Sequence, residues 1–153
     1  MSARDVSDPQ PESPAGIFDR AAHRGQHLGL HYAGAVTPTE AHELSQAGAA
    51  RIVDVRTPEE WRDVGHVDGP ALIVWPRSGD PEDVQSFLKK LRERFEPSQP
   101  LLFLCRSGAR SHHAAMAATN AGFKKAFNIL EGFEGHPGAQ DGWMAAGLPW
   151  KKG

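Results

Sequence analysis

The sequence predicts an α/β fold, a parallel sheet of about five strands with helices on both faces. Three observations carry this. Short apolar runs alternate with helical segments along most of the 153 residues, and such alternation favours parallel strands joined by crossover helices. The run LLFLC (101–105) is apolar throughout, as expected of a central strand covered on both faces. Capping residues and glycines punctuate the segments between the runs at helix starts and stops.

Residues 1–15, rich in Ser, Pro, Asp and Glu, have little to bury and are expected to form a disordered leader. Residues 16–34 read as an N-terminal helical extension, with an irregular helix from Ile17 to about Leu30. The α/β domain is expected over 35–153. TPTEAHELSQAG (37–48) is a helix with Thr37 as N-cap, Pro38 in its first turn, Glu40 closing a capping box and Gly48 as terminator. A short strand, 51–55, follows. TPEEW (57–61) repeats the capping box through Thr57 and Glu60, and ALIVW (71–75) is a second strand. DPEDVQSFLKKLRERF (80–95) is the clearest helix, with Asp80 as cap. Val84, Phe87, Leu88, Leu91 and Phe95 form one apolar stripe. Pro97 and Pro100 then break the chain before 101–105. A helix from about Gly108 to Ala121 offers Ala114, Ala117, Ala118 and Ala121 for close packing. AFNIL (126–130) is the last strand, and the Gly-rich tail suggests one short helix over 140–146.

Composition narrows the function. The chain holds 17 basic against 19 acidic residues, which gives no general attraction to nucleic acid or an anionic membrane. No apolar stretch approaches the roughly 18 residues of a spanning helix, and MSARDVSDPQPESPAG lacks the apolar core of a secretory signal. The single cysteine, Cys105, makes neither an intramolecular disulfide nor a multi-thiolate metal site. A reduced, cytoplasmic setting is the simplest expectation. His23, His27 and His31 fall at four-residue spacing. A polar helix face is preferred there, and no metal or cofactor is expected.

Cys105 is the chemically loaded residue. It ends the central strand, and ligands of parallel sheets bind at the carboxyl ends of strands. The amides of Arg106, Ser107, Gly108, Ala109, Arg110 and Ser111 lie between strand and helix, free to curl into an anion nest. Gly108 permits the tight turn this needs. The helix N-terminus, Arg106 and Arg110 bring positive charge, which favours the ionised form of a thiol. Ser107 and Ser111 are placed to cap the helix or to bond an anion or the sulfur. The alternative, an inert buried thiol, is common for cysteine but sits poorly beside two arginines and a glycine.

CRSGARS resembles the active-site loop of the single-domain rhodaneses, which are sulfurtransferases. IVDVRTPEEWRDVGHVDGPALIVWP is similar to the family's first block, and FNILEGFEGHPGAQDGWMAAGLPW to its C-terminal segment. Together these blocks cover roughly 35–150, in the family's order. The resemblance implies a rhodanese-like domain over 35–153. It also implies a ping-pong mechanism: the Cys105 thiolate takes the outer sulfur of thiosulfate or a persulfide donor, then passes it to cyanide or a thiol. Cys105 to Arg110 is a six-residue loop, a length the family associates with sulfur transfer. Related phosphatases use a loop one residue longer, and position 111 here is serine.

Arg106 is expected to contact the donor, and Arg110 to be held by Asp54. Asp54 and Arg56 are expected to shape the loop. His66 matches a histidine common in the family and is expected to stabilise a turn. His112 or His113 would tune the thiolate from the pocket rim, and Trp75 would border the site. With no second cysteine, the acceptor comes from outside and could be a protein. The competing readings are a persulfide carrier or docking module with little turnover, and a phosphatase or arsenate reductase.

Overall fold

The computed structural model describes residues 13–152. The elements are α1 (Pro14–Leu28), β1 (Gly34–Val36), α2 (Pro38–Gln46), β2 (Arg51–Asp54), α3 (Pro58–Asp63), β3 (Ala71–Leu72), α4 (Pro81–Arg94), β4 (Leu101–Leu104), α5 (Ala109–Asn120) and β5 (Ala126–Ile129). The five strands form one parallel sheet in the order β1-β5-β4-β2-β3. β4 is therefore central, paired with β2 on one side and β5 on the other.

Strand alternation sorts the β4 side chains onto two faces. Leu101, Phe103 and Cys105 join the core beneath α4 and α5, with Phe87, Leu91, Ala114 and Ala118. Leu102 and Leu104 join the opposite core, with Ile17 and Ala21 of α1, Ala41 and Leu44 of α2, and Trp143. The alanines of α5 bring that helix close to the sheet, as the sequence suggests.

Both predicted capping boxes form: Thr37 with Glu40, and Thr57 with Glu60. Other elements differ from expectation. α1 starts at Pro14, capped by the Ser13 side chain, so residues 13–15 of the expected leader belong to its start. Residues 1–12 lie outside the described residues. β1, which sequence reading omits, is a three-residue edge strand against β5. The ladder of β3 stops at Leu72, although the amides of Ile73 and Trp75 still donate to Asp54 and Val55 of the β2 side. Asp80 occupies the cap position of α4 without a side-chain bond to it. Residues 140–146 make turns rather than a helix. Gly142 takes positive φ within it and Gly147 just after it, which a right-handed helix excludes.

Candidate active site

Cys105 follows β4 directly and is 1% exposed. Its sulfur is recessed where strand pairing stops and α5 has not begun. The chain turns back at Gly108, whose φ of 106° suits glycine. This turn brings the Gly108 N–H to 3.1 Å from Sγ. Ser111, one helical turn on, places Oγ 3.2 Å from the same sulfur. Ser107 and Ser111 do not cap α5; Gly108 holds the cap position and no side chain bonds to it. Ser111 instead donates to Asn128 Oδ1 at 2.5 Å, and Asn128 Nδ2 donates to the Gly108 carbonyl.

The sequence contains a signal for Asn128, the one amide in the apolar run AFNIL. Strand β5 sets it beside β4, where it reaches both the loop carbonyl and Ser111. It also bonds Tyr32, whose hydroxyl lies 2.6 Å from His112 Nδ1. Burial pushes the Tyr32 phenol up to about 12 against the opposing Asn128 bond. Burial, then the neighbouring His113, lowers His112. A continuous chain of polar contacts thus runs from Cys105 through Ser111, Asn128 and Tyr32 to His112.

The expected Arg110–Asp54 pair does not form. Arg110 donates to both carboxylate oxygens of Glu60, at 2.7 and 2.8 Å. Asp54 is taken by Arg56: both are buried, joined by three side-chain bonds of 2.9 to 3.2 Å and by the Arg56 N–H. Arg56 also donates to the Gly65 carbonyl and stacks its guanidinium 4.4 Å from the Phe133 ring. With Asp54 saturated by Arg56, Glu60 of the Thr57 capping box is the carboxylate left for Arg110. The bonds from Arg110, outweighing burial, lower Glu60 to about 2. Arg110 is held more firmly charged by Glu60 in turn, and the charges of Cys105 and Asp54 act in the same sense.

His66 is buried, stacked on Trp61 at 3.4 Å, with Nδ1 3.1 Å from the Trp61 carbonyl. Its backbone bridges to Lys151. Trp75 packs edge-on against Phe87 in the core. Arg106 is mostly exposed, 3.4 Å from Glu134, and Ala109 is exposed beside it at the start of α5.

A cleft of about 320 Å³ opens beside the start of the loop, lined by Arg106, Ser107 and residues 134–139. Its wall is stitched to the loop. The Phe133 amide donates to the Cys105 carbonyl and the Glu134 amide to that of Arg106. Gly132 permits this approach: a Cβ there would lie 2.5 Å from the Arg106 oxygen. No group of three or more His, Cys, Asp or Glu among the described residues is arranged to hold a metal ion. No helix among them is long and apolar enough to cross a membrane.

Comparison with known proteins agrees with this architecture. Residues 37–136 match the model of the rhodanese-like domain. A crystal structure of a protein from M. tuberculosis superposes with a TM-score of 0.69 and 44% identity, covering 80% of this chain and 99% of that one. An uncharacterized Rickettsia conorii protein is 41% identical over 122 residues, 76% of this chain and 95% of its own. Thiosulfate sulfurtransferase 16, chloroplastic, of Arabidopsis thaliana is 33% identical over 118 residues, 76% of this chain and 91% of its own. With a five-stranded parallel sheet whose central strand ends in a cysteine loop, and a family match over most of its length, this chain belongs to the rhodanese-like domain family.

Proposed function

We propose that the protein is a sulfurtransferase in which Cys105 carries the moving sulfur. The observation that carries this reading is the setting of Sγ: at the end of the central strand, bonded by the Gly108 amide and Ser111, with a cleft beside the next two residues, Arg106 and Ser107. The Cys105 thiolate attacks the outer sulfur of thiosulfate. The S–S bond of the donor breaks, sulfite leaves with its electron pair, and a persulfide anion remains on Cys105. A thiophilic acceptor then attacks that outer sulfur and returns the thiolate. Cyanide, a small thiol or a protein thiol serves this role, and neither metal nor cofactor is needed.

The 106–111 loop, Arg106 to Ser111, forms the anion cradle in this reading, with Arg106 at its mouth. Asp54 and Arg56 brace the neighbouring strand end, and His66 braces the turn after α3. A reducing compartment such as the cytoplasm suits a lone thiolate. Phosphate-ester chemistry is disfavoured because Arg110 spends its fork on Glu60 and is not free for a tetrahedral dianion. Intact mass after incubation with thiosulfate tests the proposal. Wild type should gain about 32 Da and form thiocyanate with cyanide, and Cys105→Ser should do neither. A wild type with no added sulfur and no thiocyanate sinks it. A Cys105-dependent aryl phosphatase activity would replace it.

A further inference from the structure

His136 lines the cleft beside Arg106 and Ser107, the two residues that follow Cys105, and forms a dyad with Asp141. The Asp141 carboxylate accepts from His136 twice: Oδ1 from its backbone N–H at 2.7 Å and Oδ2 from Nδ1 at 2.9 Å. One side chain thus fixes both the backbone and the ring, and assigns the Nδ1 proton, leaving Nε2 as the acceptor nitrogen. The dyad is a built feature. A Cβ on Gly135 would run into the Asp141 backbone carbonyl oxygen as well as its Oδ1, so the turn closes only with glycine there. The same wall is bonded to Cys105 and Arg106 through Phe133 and Glu134.

His136 is the one imidazole that lines the cleft. Glu134 pairs with Arg106, and the remaining lining residues are Ser, Gly, Pro, Ala and Arg. His112 is engaged by Tyr32 on the other side of the loop. The chain has one cysteine, so an acceptor thiol must come from outside, and the cleft opens next to the two residues that follow Cys105.

We infer that His136, oriented by Asp141, is the general base that activates an incoming acceptor thiol. The inference rests on Cys105 carrying a persulfide. His136 Nε2 takes the S–H proton as the acceptor sulfur attacks the outer sulfur of Cys105–S–S⁻. The new S–S bond forms, and the old one breaks with its electron pair on Sγ. The proton passes from His136 to the departing persulfide. The sum is RSH + Cys–S–S⁻ → RS–SH + Cys–S⁻, balanced in atoms and charge. Asp141 is a positioning residue in this scheme.

The test preloads Cys105 with sulfur, confirms about +32 Da by intact mass, and times transfer to two acceptors in single turnover. Glutathione brings a proton to remove; sulfite, abundant as the dianion at neutral pH, does not. An alkyl thiol of pKa about 8.5 is only about 3% ionised at pH 7, so losing the base should cost up to roughly 30-fold. For His136→Gln, the glutathione-to-sulfite rate ratio should fall by about that factor at pH 7 and recover toward the wild-type ratio above about pH 9. Asp141→Asn should lower the ratio less, by about 5-fold, with the same recovery. A ratio within 3-fold of wild type at pH 7 in His136→Gln overturns the inference, as does a deficit that does not shrink with pH. Failure of wild type to load sulfur would instead strike the underlying sulfurtransferase reading.

Discussion

Glu60→Gln isolates the ion pair that replaces the expected one at the loop. The carboxyl of Glu60 lies at about 2 rather than 4.5, chiefly through its two bonds from Arg110. At about 1.4 kcal/mol per pH unit, that gap corresponds to roughly 3 kcal/mol. Part of it belongs to the Thr57 bonds, which glutamine keeps as a capping residue. The variant should therefore lose about 2 kcal/mol at pH 7, some 4–8 °C in midpoint for a domain of this size. Both side chains are less than one-fifth exposed, so salt should screen the pair little.

The pH dependence has a definite sign. Because the folded carboxyl is depressed, its stabilisation is complete above about pH 4.5 and drains away as pH falls toward 2. Urea unfolding followed by tryptophan fluorescence at pH 7 and pH 3 gives the measurement. The difference between wild type and variant should shrink by more than half at pH 3. A difference below about 0.5 kcal/mol at pH 7, or one that is equal at both pH values, would refute the reasoning.

Two further substitutions probe the neighbourhood. Gly132→Ala adds a Cβ at φ 66°, 2.5 Å from the Arg106 carbonyl oxygen; backbone has no rotamer to yield, so it should cost more than about 2 kcal/mol in urea unfolding. An alanine variant as stable as wild type would show that the wall can move away from the loop. Tyr32→Phe removes the hydroxyl that meets His112 and Asn128 and should cost about 1 kcal/mol. An unchanged thermal midpoint would mean that water replaces the phenol at no cost.

Local signals carried much of the architecture into the sequence. The capping boxes at Thr37 and Thr57 are four-residue patterns, and the stripe Phe87, Leu88, Leu91 and Phe95 is periodic; all are found where the sequence places them. β1 escapes because three residues are too few to show a period, and its strand character comes from pairing with β5. The cysteine loop is legible because its residues are contiguous. The groups around it are not. Glu60 reaches Arg110 across 50 residues, and its role in the capping box masks the second one. The sequence suggests Asp54 for Arg110, but Arg56, two residues on, claims that carboxylate first. His136 and Asp141 meet through a turn, and a five-residue spacing matches neither helix nor strand.

The place of β4 in the sheet has a consequence for biosynthesis. Its neighbour β2 precedes it in the chain, but β5 follows it, as do Ser111, Asn128 and the Phe133–Glu134 wall. A nascent chain that has released Cys105 but not residue 134 holds its thiol on an unpaired strand edge, without wall or full polar shell. β1 waits for β5 as well, so the two strands of this sheet farthest apart in sequence close it together. Non-local pairing of this kind is slow to complete. The sulfur is therefore sheltered only once the chain through Glu134 has been made, and the interval before then is when oxidants and foreign thiols have their freest access to it.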